Sequence, residues 1–361
     1  MAIPRQKLTI FHVGGGDDDI GPTRKLLEIE ELDIDLYVFE IIEDEGYTTV
    51  KASQTHANVT TRIVPVGIGE NDFQKVEFRV NKHPLSSSVL PGSDLTGPNN
   101  PNYSGIHDWA ENTALDYTFS ATLRTIDSLV QSGEVPLPDF ISLDIQGLEL
   151  AALKGATSAL GESVLGVVTE SEFEEIYVGQ GLFSEQLNFL RSKGFRFVDF
   201  ETRQDWFFGP PVGKGFFTVA ESSFLLHVYS DGGEALDKGF ATGVPISSVG
   251  KEKLFKLALT AFALSRYSYF YFIMEYLATK ESKYFAQLSS GVYAKYTRVF
   301  LGLQEAWAGG GDKEYFVENF HNIFEIPMEN QPRNSRLKRR YYALKLFVYR
   351  AIPAALRARL R

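Results

Sequence analysis

Asp139-Phe-Ile-Ser-Leu-Asp-Ile-Gln-Gly-Leu-Glu-Leu150 reads as a short buried strand that ends on an acid and hands over to a helix. Phe140, Ile141 and Leu143 give the strand an apolar interior. Strands buried on both faces belong to parallel sheets covered by helices on each side. Asp144 then emerges at the carboxyl edge of the sheet, where open α/β folds bind their ligands. The helix is expected over Leu148 to Leu160. Glu149 falls in its first turn, where a negative charge also suits the helix dipole.

The same alternation extends in both directions. Upstream, Leu8 to Val13, Asp35 to Glu40 and Thr61 to Val66 read as strands, with a helical pattern from Pro22 through Ile29. Downstream come strands at Leu165 to Thr169, Arg196 to Phe200 and Phe216 to Val228. A helix at Glu185 to Lys193 has Ser184 as its expected N-cap and Gly194 as its C-cap. Strands alternating with helices predict an α/β fold, a Rossmann-like sheet with helices on both faces. Residues 70–121 break the alternation. Lys75 to Val80 suggests a strand pair there, and the Pro-, Gly- and Asn-rich stretch Pro91 to Tyr103 a lid-like loop. Three parts are expected: a sheet domain over 1–230 carrying that insertion, a helical C-terminal region over 248–332, and a basic tail over 333–361.

Composition bounds the function. Hydrophobic residues are 44% of the 361 and charged residues 23%, the balance of a folded globular protein. The absence of cysteine excludes disulfides, thiolate zinc sites and cysteine nucleophiles. The longest apolar stretch, Leu254 to Ala278, is interrupted by Lys256, Arg266 and Glu275, short of the roughly 18 apolar residues of a membrane span. A strand already at Leu8 leaves no room for a leader peptide ahead of it, and the chain reads as cytoplasmic. Net charge is −10, yet Arg333 to Arg361 carries ten Lys and Arg and no acid. The preceding 332 residues hold 26 basic and 46 acidic side chains, which argues against nucleic acid as a partner.

Gly14-Gly15-Gly16 follows the first strand, where a glycine turn lets a ligand approach the backbone. It lacks both the G-x-G-x-x-G spacing and a P-loop lysine. Asp17, Asp18 and Asp19 would repel a pyrophosphate, so a zwitterionic or cationic ligand suits the turn better. Glu40, closing the second strand, stands where nucleoside-binding sheets hold the ribose hydroxyls. The six histidines show no paired metal-ligand spacing, and no metal is expected.

Leu143-Asp-Ile-Gln-Gly-Leu-Glu-Leu-Ala-Ala-Leu-Lys-Gly-Ala156 resembles the central motif of FkbM-type methyltransferases, D-x-E/Q-G-x-E followed by L-K-G-A. The glycine turn, Phe39-Glu40, Ser86-Ser87-Ser88, Thr122 to Asp127 and Glu170 to Gln180 follow in the family's order. The resemblance spans roughly Leu8 to Leu226. It implies a class I methyltransferase fold binding S-adenosylmethionine, with Gly14 and Gly16 under the methionine portion and Glu40 on the ribose. Asp144 would face the reacting end. His12 stands in place of the acid that such strands carry before the turn, as a neutral hydrogen-bonding group. The implied reaction is methylation of a hydroxyl on a sugar, glycan or natural product. Such a reaction needs a base, for which Asp144, Glu149 and Glu170 are candidates. Tyr177 and Gln180 come from the resemblance alone.

Two other readings stay open: a non-catalytic nucleoside-binding module on the same fold, and a nicotinamide-dependent oxidoreductase. The tail, with Leu337, Tyr341, Leu344 and Val348 on one stripe, reads as a basic amphipathic helix. It suits an anionic membrane surface, the acidic body or a second subunit equally.

Overall fold

The computed structural model describes residues 3–14, 20–41, 56–93, 113–206, 216–231 and 243–308. Gly15, Gly16, Asp17 to Asp19, most of the expected lid-like loop and the whole basic tail lie outside the described residues.

The strands in chain order are β1 (Lys7–Gly14), β2 (Asp33–Phe39), β3 (Val59–Val64), β4 (Gly67–Ile68), β5 (Gln74–Asn81) and β6 (Leu115–Arg124). Then follow β7 (Phe140–Asp144), β8 (Gly166–Glu172), β9 (Phe195–Phe200), β10 (Gln204–Trp206) and β11 (Phe216–Leu226). The main sheet has the order β3-β2-β1-β7-β8-β11-β10, with β9 also paired to β11. β1, β2, β3, β7 and β8 run parallel, and β11 is antiparallel to β8. This is a Rossmann-like sheet, five parallel strands continued on one side by an antiparallel strand. Leu8, Ile10, Phe11 and Val13 of β1 and Phe140, Ile141 and Leu143 of β7 are all buried, as strands covered on both faces require. The chain leaves β1 for β2 on one side and reaches β7 on the other. The two carboxyl ends meet where Gly14 pairs with Asp144.

The insertion is a second, three-stranded sheet of order β4-β6-β5. Its link to the main domain is a helix, α2 (Ile126–Gln131), which follows the one-turn α1 (Arg24–Leu27). Thr125 caps α2 by accepting the Ser128 N–H at 3.0 Å.

The helix expected over 148–160 is two helices, α3 (Glu149–Lys154) and α4 (Thr157–Glu162). Gly155 sits at the break because a Cβ there would stand 2.1 Å from the Gly69 carbonyl oxygen. The Asp127 carboxylate then accepts the Ser158 and Ala159 N–H groups at 2.7 and 3.0 Å, starting α4 in a new direction. Ser184 is not the N-cap of the next helix, α5 (Phe183–Ser192), but its second residue. Glu185 accepts the Leu182 N–H at 3.1 Å, supplying the acidic half of a capping arrangement. Gly194 takes φ +92° just beyond the helix, as its position predicts.

The C-terminal helices are α6 (Lys251–Ala263), α7 (Tyr267–Lys280), α8 (Ser282–Leu288) and α9 (Ala294–Ala308). α6, α7, α8 and the turn at Tyr293 are tied to the sheet side of the chain by polar pins. Lys256 pairs with Asp139 at 2.9 Å. The Tyr269 hydroxyl donates to the Leu226 carbonyl at 2.6 Å. Gln6 donates from its backbone and side chain to the hydroxyls of Tyr293 and Tyr284. Residues 1–297 form one compact unit. Residues 298–361 form a second, whose described part is the end of α9. Among the described residues no helix is long and apolar enough to cross a membrane.

Candidate active site

A cleft of about 770 Å³ opens over the carboxyl ends of β1, β2, β7 and β8. Val13, Gly14, Phe39, Glu40, Asp144 and Gln146 form its sheet side. The small sheet supplies the facing wall through Phe78, Val80, Tyr117 and Phe119. Among the described residues four acids line it: Glu40, Asp144, Glu170 and Glu221.

Gly14 has φ +79°, and a Cβ on it would lie 1.9 Å from the Asp144 carbonyl oxygen. Only glycine lets β1 and β7 close to this distance. Glu40 follows β2 and is mostly buried. Its Oε2 has no hydrogen-bond partner among the described residues. Burial, reinforced by the Asp144 charge, pushes its carboxyl up to about 7.

Asp144 is the first residue of a tight loop. Gln146 takes φ +54° and Gly147 φ +99°. Glu149 lies beneath this loop, fully buried, accepting the N–H of Ile145 at 2.9 Å and of Gly147 at 3.0 Å. It does not line the cleft. Burial raises its carboxyl to about 7 against the opposing effect of those hydrogen bonds.

Gln146 is the hub of the site. Its amide nitrogen donates to Asp144 Oδ1 at 2.8 Å and to Glu170 Oε2 at 3.0 Å. Its amide oxygen lies 2.8 Å from the Tyr177 hydroxyl, which fixes which way the amide points. Its backbone carbonyl accepts from Ser88 Oγ at 2.6 Å. The serine run thus fastens the small sheet to the acid-bearing loop: Asn81 also holds Ser86 and Ser87 through bonds of 2.6 and 3.1 Å. Glu170, on β8, faces the cleft. Burial and then the Asp144, Glu172 and Glu149 carboxylates drive it well above the ordinary carboxylate range.

The structure therefore brings Gly14, Glu40, Asp144 and Glu170 to one cleft and puts Glu149 under its floor. His12 is buried in β1, its Nδ1 3.1 Å from Ser142 Oγ, and does not line the cleft. Gly16 lies outside the described residues. Gln180, buried, accepts the Tyr177 N–H through its side-chain oxygen. Two acids escaped the sequence reading. Glu172 is buried two residues beyond Glu170, a spacing that puts both on one face of β8. Glu221 stands opposite Glu170 in the β8–β11 register, which no local pattern reveals.

Residues 34–197 match the family model of the methyltransferase FkbM domain. Over this segment, a little under half of its length, the chain is similar to the FkbM methyltransferases, as its sequence motifs suggest. The matched segment runs from β2 to β9 and takes in Glu40, Asp144, Gln146, Glu149, Glu170 and Tyr177. A hexuronic acid methyltransferase of Haloferax volcanii is 51% identical over 53 residues, 14% of this chain. That match spans 22% of the relative's length, so the chain covers about a fifth of it. A crystal structure of an FkbM methyltransferase from Methylobacillus flagellatus aligns over 61% of this chain and 44% of its own, at 15% identity and a TM-score of 0.31.

Proposed function

We propose that this protein is an S-adenosylmethionine-dependent methyltransferase of the FkbM type that methylates a hydroxyl group of a sugar, glycan or related natural product. The observation that carries the donor reading is Glu40. Its buried oxygen without a described partner, at the cleft end of β2, suits the paired hydroxyls of a ribose. Gly14 leaves the adjoining floor clear of side chains, and Phe39, Ile41 and Ile68 offer apolar surface beside it. The acids suit a ligand with positive charge and disfavour a pyrophosphate. When bound, S-adenosylmethionine supplies an electrophilic methyl group on a sulfonium.

The chain's own part is to orient a hydroxyl and take its proton. Of the three candidate bases, Asp144 fits best. Burial and the neighbouring carboxylates push Glu170 well above the ordinary carboxylate range, which disfavours its charged form, and Glu149 is occupied with backbone amides. Gln146 steadies Asp144 and Glu170 together. The sugar acceptor is supported by the name of the archaeal relative and by the aromatic wall over the acids.

Thermal shifts with S-adenosylmethionine, S-adenosylhomocysteine and NAD test the donor reading. Both sulfur nucleosides should raise the midpoint and NAD should not. Stabilisation by NAD alone, or by none of them, would sink it. Glu40→Ala should abolish the shift.

A further inference from the structure

The face that the small sheet turns to the cleft is apolar and only partly covered. β5 alternates Val76, Phe78 and Val80 with Lys75, Glu77 and Arg79, the pattern of a strand with one face suited to burial. Phe78 pairs with Phe119 and Val80 with Tyr117, so β6 continues the same face. None of these five apolar residues is buried. Tyr117 is 44% exposed and Leu85, in the turn after β5, 50%, and both line the cleft. A contiguous apolar face left open in this way marks a place where something else packs.

The sheet side of the same cleft is polar, with Asp144, Gln146 and Glu170. Ser88 holds the two sides at a fixed spacing: it bridges to Arg79 of β5 and donates from Oγ to the Gln146 carbonyl at 2.6 Å. Phe78 and Phe119 lie 5.4 Å apart between ring centroids, with Tyr117 6.5 Å beyond Phe119. The described residues that segment 78–119 lends to the cleft carry no charged side chain. A bare sugar filling this space would turn some of its hydroxyls to the rings, where they lose water and gain no partner. A hydroxyl-bearing group at the acids, joined to an apolar group on the wall, satisfies both sides.

We infer that the acceptor is an amphiphile, a glycoside whose sugar hydroxyl meets Asp144 and whose apolar aglycone lies along Phe119, Tyr117 and Leu85. This rests on the methyltransferase reading above, and adds the chemistry of the aglycone and the residues that take it.

The test is a titration followed by NMR, on full-length protein saturated with S-adenosylhomocysteine. Methyl, heptyl and methoxyethoxyethyl glycosides are compared in the gluco, galacto and manno series, all below micelle-forming concentrations. The last two chains match in length, but only heptyl is apolar. In at least one series the heptyl glycoside should bind about tenfold or more tightly than the methyl one, since each buried methylene adds up to about fourfold. The ether chain should give no such gain. Leu85→Ser and Tyr117→Ser, at half-exposed positions, should each cut the heptyl advantage about threefold. Stabilisation by S-adenosylhomocysteine should be unchanged in both, which also reports that they fold. A heptyl advantage that is missing in all three series, matched by the ether chain, or kept in both variants overturns the inference. So does the absence of binding by any glycoside, and each of these results leaves the donor reading standing. Failure of S-adenosylhomocysteine to bind in the first place overturns both.

Discussion

Gly14 and Asp144 face each other at the ends of adjacent parallel strands, so closely that a single added carbon on Gly14 would fall 1.9 Å from the Asp144 carbonyl oxygen. The glycine at this turn is thus fixed first by the meeting of two strands, and only then by any ligand above them. Gly14→Ala should destabilise the protein by more than about 2 kcal/mol, because it combines a backbone clash with a left-handed φ. Urea unfolding measures this directly. A loss below about 0.5 kcal/mol would show that β1 and β7 can separate at low cost.

Glu40 and Glu149 both have folded-state values near 7, raised from an unfolded value of about 4.5. Between these two values the folded protein binds more protons than the unfolded chain. Stability from these groups is therefore complete below about 4.5 and is lost as pH rises through 7. The thermal midpoint of the unliganded protein should fall between pH 5 and pH 8. Glu40→Gln should flatten part of that fall and raise the midpoint at pH 8. The same variant should lose its response to S-adenosylhomocysteine. A midpoint that climbs steadily from pH 5 to pH 8 would contradict the account.

Glu149 is a positioning residue in this scheme. It is the acceptor for two buried amides of the loop that carries Asp144. Glu149→Ala should cost about 3 kcal/mol by stranding those donors, and hydrogen exchange at Ile145 and Gly147 should accelerate. Glu149→Gln keeps an acceptor oxygen and should protect the same amides better than alanine does. Equal protection in the two variants would remove Glu149 from this role.

Asp127 offers a control remote from the cleft. Its carboxylate starts α4 by accepting two backbone N–H groups. Asp127→Ala should cost about 1 kcal/mol, as loss of an N-terminal cap does. The midpoint rise caused by S-adenosylhomocysteine should be unchanged. A lost ligand response would mean that the α3–α4 turn communicates with the site.

The parallel sheet was legible because β1, β2 and β7 are apolar runs ending on a glycine or an acid. That pattern also placed Glu40 and Asp144 at the carboxyl edge. The function of Glu149 was not legible, since an acid in a first helical turn looks the same whether it meets a dipole, a ligand or a buried loop. The split between α3 and α4 depends on the contact of Gly155 with Gly69, 86 positions away in the chain. Glu221 and the aromatic wall need the strand pairing of β8 with β11 and of β5 with β6. Periodicity shows which face of a strand a residue occupies, but not what lies across from it.

Tyr177 has the sharpest test of the hub. Its buried hydroxyl lies 2.8 Å from the amide oxygen of Gln146 and 3.0 Å from the Ser86 carbonyl. Tyr177→Phe removes the donor that fixes the Gln146 amide and leaves the ring's packing in place. The amide can then turn its oxygen toward Asp144 and Glu170, where it would meet two acceptors. Turnover should fall about tenfold or more if Gln146 steadies the base, with little change in S-adenosylhomocysteine affinity. A purely structural role for the hydroxyl predicts lower stability with turnover unmoved in Tyr177→Phe. Unchanged turnover in Tyr177→Phe and in Gln146→Ala alike would mean that Asp144 needs no partner at this position.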